Sequence, residues 1–171
     1  MVSIIIINYN TFQLTCNCIA SVLQHTKAID FEIILVDNAS TECDPQKFKE
    51  QFPGIHLIES KQNTGFAGGN NLGIKQAKGE IILLLNSDTY LTEDAISFCA
   101  SQFSKHDNAG VVGCKMIYPD GGLQYTARKF RTLQWELLDL FRPVLQLMSY
   151  KKRAQLMLGR YFKADFDTEC D

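Results

Sequence analysis

Four short apolar runs constrain this chain more than any other feature. They are "VSIIIIN" (2–8), "FEIILVD" (31–37), "IHLIES" (55–60) and "EIILLLN" (80–86), separated by helix-length segments. Ile81 to Leu85 form an unbroken apolar stretch. A strand that does not alternate is expected to be buried on both faces, and strands alternating with helices argue for a parallel sheet. Residues 11–26 read as a helix, with Thr11 as its cap and Leu14, Ile19, Val22 and Leu23 along one side. A weaker helix is expected near 44–52, opened by Asp44 and Pro45, and others at 65–79 and 93–105. "GVVGCKMIY" (110–118) reads as a fifth strand and "PDGG" (119–122) as a turn. The expected fold class is α/β, a Rossmann-like, mostly parallel sheet with helices on both faces.

Length and charge narrow the function. The 171 residues suffice for one domain with a real core. A net charge of -2 argues against a general nucleic-acid binder. Six cysteines show neither a C-x-x-C pair nor Cys/His zinc spacing, so reduced thiols are expected. No signal peptide and no stretch of about 20 apolar residues is visible, which makes a cytoplasmic protein the expectation.

Three of the four strands end in polar groups: Asn8-Tyr9-Asn10, Asp37 to Ser40, and Asn86-Ser87-Asp88. In open α/β sheets ligands bind beyond the carboxyl ends of the strands, and right-handed crossovers bring those ends to one edge. A carboxylate such as Asp88, closing an apolar strand, needs a cation or donors. Mg²⁺ or Mn²⁺ beside phosphate oxygens would serve. Asp37 can accept from a nucleobase or a ribose hydroxyl. The alternative reading of both acids is as helix caps or turn formers. The segment "NTGFAGGNNLG" (63–73) opens a helix and permits close approach of a phosphate. It can also be a glycine-rich helix packed tightly on the sheet.

"IIINYNT", "EIILVDNAS", "NTGFAGGNNLGIKQAKGEIILLLNSD" and "VVGCKMIYPDGGLQYTAR" together resemble the large second family of inverting glycosyltransferases, specifically its rhamnosyltransferase-like members. The resemblance runs from about residue 2 to 130. It implies a glycosyltransferase A fold that takes a nucleotide-diphosphate sugar and a divalent cation. By the same resemblance Ile7, Asn8 and Tyr9 meet the nucleotide, with Asp37 and its neighbour Asn38 at the base. Asn63, Gly65 and Asn70 belong to the loop beside the nucleotide, and Asn86-Ser87-Asp88 stands where the family has D-x-D, with Asp88 as the metal ligand. Here the motif is N-x-D, with one carboxylate fewer. The family's later general-base motif is not found, and the base is expected beyond Asp171. A nucleotide-sugar-binding core at 1–130 and a helical, basic segment at 131–171 leading to a missing acceptor portion are the expected organisation.

Residues 128–163 hold nine Lys or Arg against two acids, a net +7, so the remainder carries -9. A basic amphipathic helix there would lie on an anionic membrane surface, at the inner face, beside a saccharide or lipid-linked acceptor. The plainer reading, which weighs more, is an ordinary helix packed against the sheet with a solvated basic face, and Pro143 is expected to break or kink it. Two other functions remain compatible with the pattern. One is a non-catalytic nucleotide-sugar-binding module. The other is a nucleotidyltransferase, although "NYNTFQ" lacks the basic glycine loop such enzymes place after the first strand.

Overall fold

The computed structural model describes residues 1–124, 133, 142–149, 152, 153, 155 and 156. The chain divides into two compact units, Met1–Val112 and a second beginning at Gly113. The first unit contains β1 (Val2–Asn8), α1 (Phe12–His25), β2 (Phe31–Asp37), α2 (Gln46–Gln51), β3 (His56–Glu59), α3 (Gly65–Ile74), β4 (Ile81–Asn86) and α4 (Ala95–Gln102). Its four strands form one sheet in the order β3-β2-β1-β4, and every pair is parallel. Ile4 of β1 stands between Ile33 and Leu83.

The sheet is covered on both faces. Ile4 and Ile6 of β1, with Ile33 and Leu35 of β2, share one core with α1, α2 and α4. Ile5, Ile34 and Val36 face the other way, onto α3 through Leu72. In α1 the buried face is Thr15, Cys18, Ile19 and Val22, a helical spacing. Leu14 and Leu23, expected on that face, flank it and are exposed.

α3 lies very close to β1. A Cβ on Gly73 would stand 2.5 Å from Ile5 Cγ2, and one on Gly69 3.2 Å from Ile7 Cδ1. These two glycines serve helix–sheet packing, so that part of the glycine-rich segment follows the packed-helix alternative. Asp94 caps α4: its Oδ1 accepts from Ser97 N at 3.2 Å and its Oδ2 from Lys27 N at 3.0 Å.

Two expectations change. β4 is not buried on both faces. Ile81, Leu83 and Leu85 pack into the core, whereas Ile82 and Leu84 are 38% and 47% exposed. The cause is position: β4 ends the described sheet, and α3 packs on β1 and β2 instead. The run 110–118 is not a fifth parallel strand either. Only Met116–Ile117 (β5) is extended, pairing antiparallel with Leu123–Gln124 (β6). The "PDGG" turn joins them, with Gly121 at φ 81° and Tyr118 N donating to Gly122 O at 2.7 Å.

In the second unit Arg142–Leu145 (α5) is helical and includes Pro143. Most of the expected helical region 131–171, and of the basic stretch 128–163, lies outside the described residues. Among the described residues no helix is long and apolar enough to cross a membrane.

Candidate functional site

The order of the strands locates the site. The chain runs outward from β1 through β2 to β3, then crosses back by α3 to place β4 on the other side of β1. α1 and α3 accordingly lie on opposite faces. The carboxyl ends of β1 and β4 therefore flank the point where strand order reverses, the usual crevice for ligands in such sheets. A cavity of about 420 Å³ opens there.

Eight of the eleven expected site residues line it: Ile7, Tyr9, Asn38, Asn63, Gly65, Asn86, Ser87 and Asp88. Thr11, Leu14 and Phe66 line it too and were not anticipated as site residues. Thr11 reads as a cap and Leu14 as a core position. Phe66 is hidden within a glycine-rich segment, although a large aromatic residue there was a signal. Asn8, Asp37 and Asn70 do not line the cavity.

Asn8 and Asp37 lie beneath it, each 2% exposed. Asn8 Nδ2 donates to Asp37 Oδ1 at 2.7 Å and to Ser40 Oγ at 2.9 Å. Its Oδ1 accepts from the hydroxyls of Thr11 and Thr15 at 3.0 and 2.9 Å. All four hydrogen-bonding positions of this buried amide are used, as burial of a polar group requires. Asp37 Oδ2 accepts from Ser40 N at 3.0 Å, so this carboxylate closes the D-N-A-S turn. Ala39 in that turn adopts φ 63°, a left-handed conformation that strains an L-residue. Asn70 Nδ2 is spent within α3, on Phe66 O.

Asn38 clamps the loop that precedes α3. Its Nδ2 donates to Asn63 Oδ1 at 2.9 Å and to Gly65 O at 3.1 Å. Its Oδ1 accepts from Thr64 N and Thr64 Oγ1 at 3.0 and 3.1 Å. Asn63 Oδ1 also accepts from Gly65 N, and Gly65 turns the chain at φ 71°. The Asn38 side chain is thus saturated by the protein. It shapes the cavity wall and offers a ligand little new hydrogen-bonding capacity.

The β4 end is different. Asn86 and Asp88 are exposed and Ser87 is half-buried. The expectation that Asp88 carries a burial cost does not hold, because the residue sits past the strand end in the open mouth of the crevice. No side chain among the described residues hydrogen-bonds its carboxylate. From below, the turn is held by Thr89 N donating to Asn86 O at 3.1 Å and by Cys18 Sγ donating to the same oxygen at 3.5 Å. Burial, and then the nearby charge of Asp88, push the Cys18 thiol up to about 12, so it stays a protonated donor. Among the described residues Asp88 is the one formal charge lining the cavity, and no Lys or Arg lines it.

A divalent ion would fit this donor set only if shared with a ligand. Among the described residues no three His, Cys, Asp or Glu side chains are grouped to hold a metal alone. One free carboxylate with amide and hydroxyl oxygens beside it matches the way Mg²⁺ is held by a protein together with phosphates.

The sequence profile of Glycosyl transferase family 2 matches residues 3–163. Glycosyltransferase GlyG of Streptococcus pneumoniae is 31% identical over 118 residues, 66% of this chain and 38% of GlyG. The poly(ribitol-phosphate) beta-glucosyltransferase of Bacillus spizizenii is 36% identical over 100 residues, 56% of this chain and 16% of its own. The O-antigen biosynthesis protein RfbC of Myxococcus xanthus is 32% identical over 108 residues, 61% of this chain and 8% of RfbC. These alignments span well under half of each of the three relatives. Among solved structures, S. aureus TarS 1-349 in complex with UDP has a TM-score of 0.56 at 22% identity, covering 66% of this chain and 38% of TarS. TarS 1-349 with UDP-GlcNAc gives 0.54 at 21%, covering 66% and 37%. The parallel sheet described above is the Rossmann-like GT-A fold of these neighbours, and the chain belongs to Glycosyl transferase family 2.

Proposed function

We propose that this chain carries the donor site of a glycosyltransferase that moves a sugar, with inversion, from a nucleoside-diphosphate donor to a polysaccharide or lipid-linked acceptor. The observation that carries this reading is the crevice between β1 and β4, whose one formal charge among the described residues is the exposed Asp88. Among the described residues a diphosphate entering it would meet a like charge and no basic side chain, and a cation between it and Asp88 would relieve that repulsion. When bound, that ion would offset the charge developing on the departing nucleoside diphosphate. Tyr9 and Phe66, 48% and 60% exposed, offer aromatic surface to the nucleobase. Asn38 holds the Asn63–Gly65 loop against the nucleoside, while Asp37 and Asn8 frame the base end from below. Inversion needs a general base on the face opposite the leaving group. Asp88, the one carboxylate among the described residues that line the cavity, is assigned to the ion, so we place the base outside these residues.

The names of the relatives favour cell-surface polymers as acceptors, and the motif run favours a rhamnosyl donor such as dTDP-rhamnose. The charge of residues 128–163 fits peripheral contact with an anionic membrane that presents a lipid-linked acceptor. Calorimetric titration of UDP, dTDP and GDP into the chain, with and without Mn²⁺, tests the donor site. Metal-dependent binding of one diphosphate, lost in Asp88→Ala, is the expected result and identifies the base. Absence of binding by all three would overturn the reading.

A further inference from the structure

Counting protons around Thr11 links the buried network under β1 to the open turn after β4. The Asp37 carboxylate only accepts, so Asn8 must turn its amide nitrogen toward it, at 2.7 Å. That leaves Asn8 Oδ1 facing α1, where it takes the hydroxyl protons of Thr11 and Thr15. Each hydroxyl has one proton. The 3.3 Å approach of Thr11 Oγ1 to Thr15 Oγ1 therefore carries none. For the same reason a hydrogen bond across the 3.3 Å contact between Thr11 Oγ1 and Ser87 Oγ can be donated only by Ser87. With that bond made, the Ser87 proton points at Thr11 and its lone pairs are left for the cavity that both residues line.

Thr11 is free for this duty because it does not cap its helix. It occupies the N-cap position of α1 yet makes no side-chain cap bond. Phe12 N donates instead to Glu42 Oε2, at 2.9 Å. A serine presenting its proton to the cavity would bind a phosphate oxygen and repel a cation. A serine presenting only lone pairs does the reverse.

We infer that Ser87 supplies a second oxygen ligand, beside Asp88, to the divalent cation of this site, and that Thr11 is the positioning residue that turns the Ser87 lone pairs toward it. The inference rests on the donor-site reading above and adds a ligand to it. The neutral Asn86 leaves the motif one carboxylate short, and a hydroxyl oxygen is a hard donor suited to Mg²⁺ or Mn²⁺. The negative charge of Asp37, acting through the Asn8 amide and the Thr11 hydroxyl, fixes the polarity of the whole chain of bonds.

The test follows Mn²⁺ uptake by its electron paramagnetic resonance signal, with UDP, dTDP or GDP present, whichever binds. Ser87→Ala and Thr11→Val should each weaken Mn²⁺ roughly tenfold, the low end for loss of a ligand's orienting partner, and Thr11→Ser should restore it. Ser87→Cys should lose Mn²⁺ and gain Cd²⁺ relative to the wild-type chain, because a thiolate prefers soft ions. Circular dichroism and urea melts confirm that each variant is folded. Unchanged Mn²⁺ affinity in Ser87→Ala and Thr11→Val would overturn the inference and leave the donor-site reading standing. Weakened binding in Ser87→Ala with no Cd²⁺ gain in Ser87→Cys would also overturn it, since Ser87 would then act on the nucleotide. Failure of the wild-type chain to take up Mn²⁺ with any of the three diphosphates would bring down both readings together.

Discussion

The two strand ends that face each other across the crevice are built on opposite plans. At the β1 end, Asn8 and the adjoining Asp37 that closes β2 are buried and use their polar atoms on each other, on Ser40 and on Thr11 and Thr15. At the β4 end, Asn86 and Asp88 are exposed, and Asp88 has no hydrogen-bond partner among the described residues. The first end is a frame whose bonds are satisfied before a ligand arrives. The second keeps its capacity for one. Polar residues that terminate strands thus divide into those that hold the edge of the sheet and those left open to the cavity, and burial separates them where residue type does not.

The largest expected effect tests the frame. Asn8→Ala removes four hydrogen bonds and leaves the buried Asp37 carboxylate short of its amide donor. A cost of about 3 kcal/mol in urea-unfolding free energy follows from the lost charged bond and the emptied volume. Asp88→Ala at the open end should stay within about 0.5 kcal/mol of wild type in the same melt, as exposed positions do. Equal costs for the two variants would erase the distinction between the ends.

The sheet and its helices were legible because doubly covered strands read as unbroken apolar runs, and β1 and β2 are such strands. β4 reads the same way and is half exposed, since composition does not reveal which strand lies at an edge. The eight cavity residues share strand ends and one loop, which motif order makes visible. Thr11 was out of reach because its identity predicts a helix cap, whereas Glu42, from a distant loop, takes that role. Asp37 looked like a ligand-binding acid, while its bonds to Asn8 and Ser40 depend on a long-range pairing that local sequence does not show.

Two glycines sharpen the contrast between frame and open end. Gly73 faces Ile5 with no room for a methyl group, so Gly73→Ala forces α3 off the sheet and should cost about 2 kcal/mol. Gly65 has open space around it, and its Cβ would meet nothing within 4 Å. Its difficulty is the backbone alone, at φ 71°, so Gly65→Ala should cost about 1 kcal/mol. Because Asn38 and Asn63 fasten that turn to the cavity wall, Gly65→Ala should also weaken nucleotide binding. Gly73→Ala should act on stability first. Paired urea melts and UDP titrations separate the two behaviours.

The smallest effect concerns a carboxylate distant from the crevice, which shows what a spent acid does to pH dependence. Burial alone would push Asp94 up, but hydrogen bonds from Ser97, Lys27 and Ala28 hold it below the usual carboxylate value. A lowered folded-state pKa means stability that is present above the unfolded value, about 3.9, and lost as pH falls through the folded one. Asp94→Asn should therefore be slightly less stable than wild type at pH 7, with the gap closing below about pH 4. Urea melts of wild type and Asp94→Asn at pH 7 and about pH 3 check this, and a gap that stays constant between the two would mean that the bonds from Ser97, Lys27 and Ala28 stabilise nothing through the carboxylate's charge.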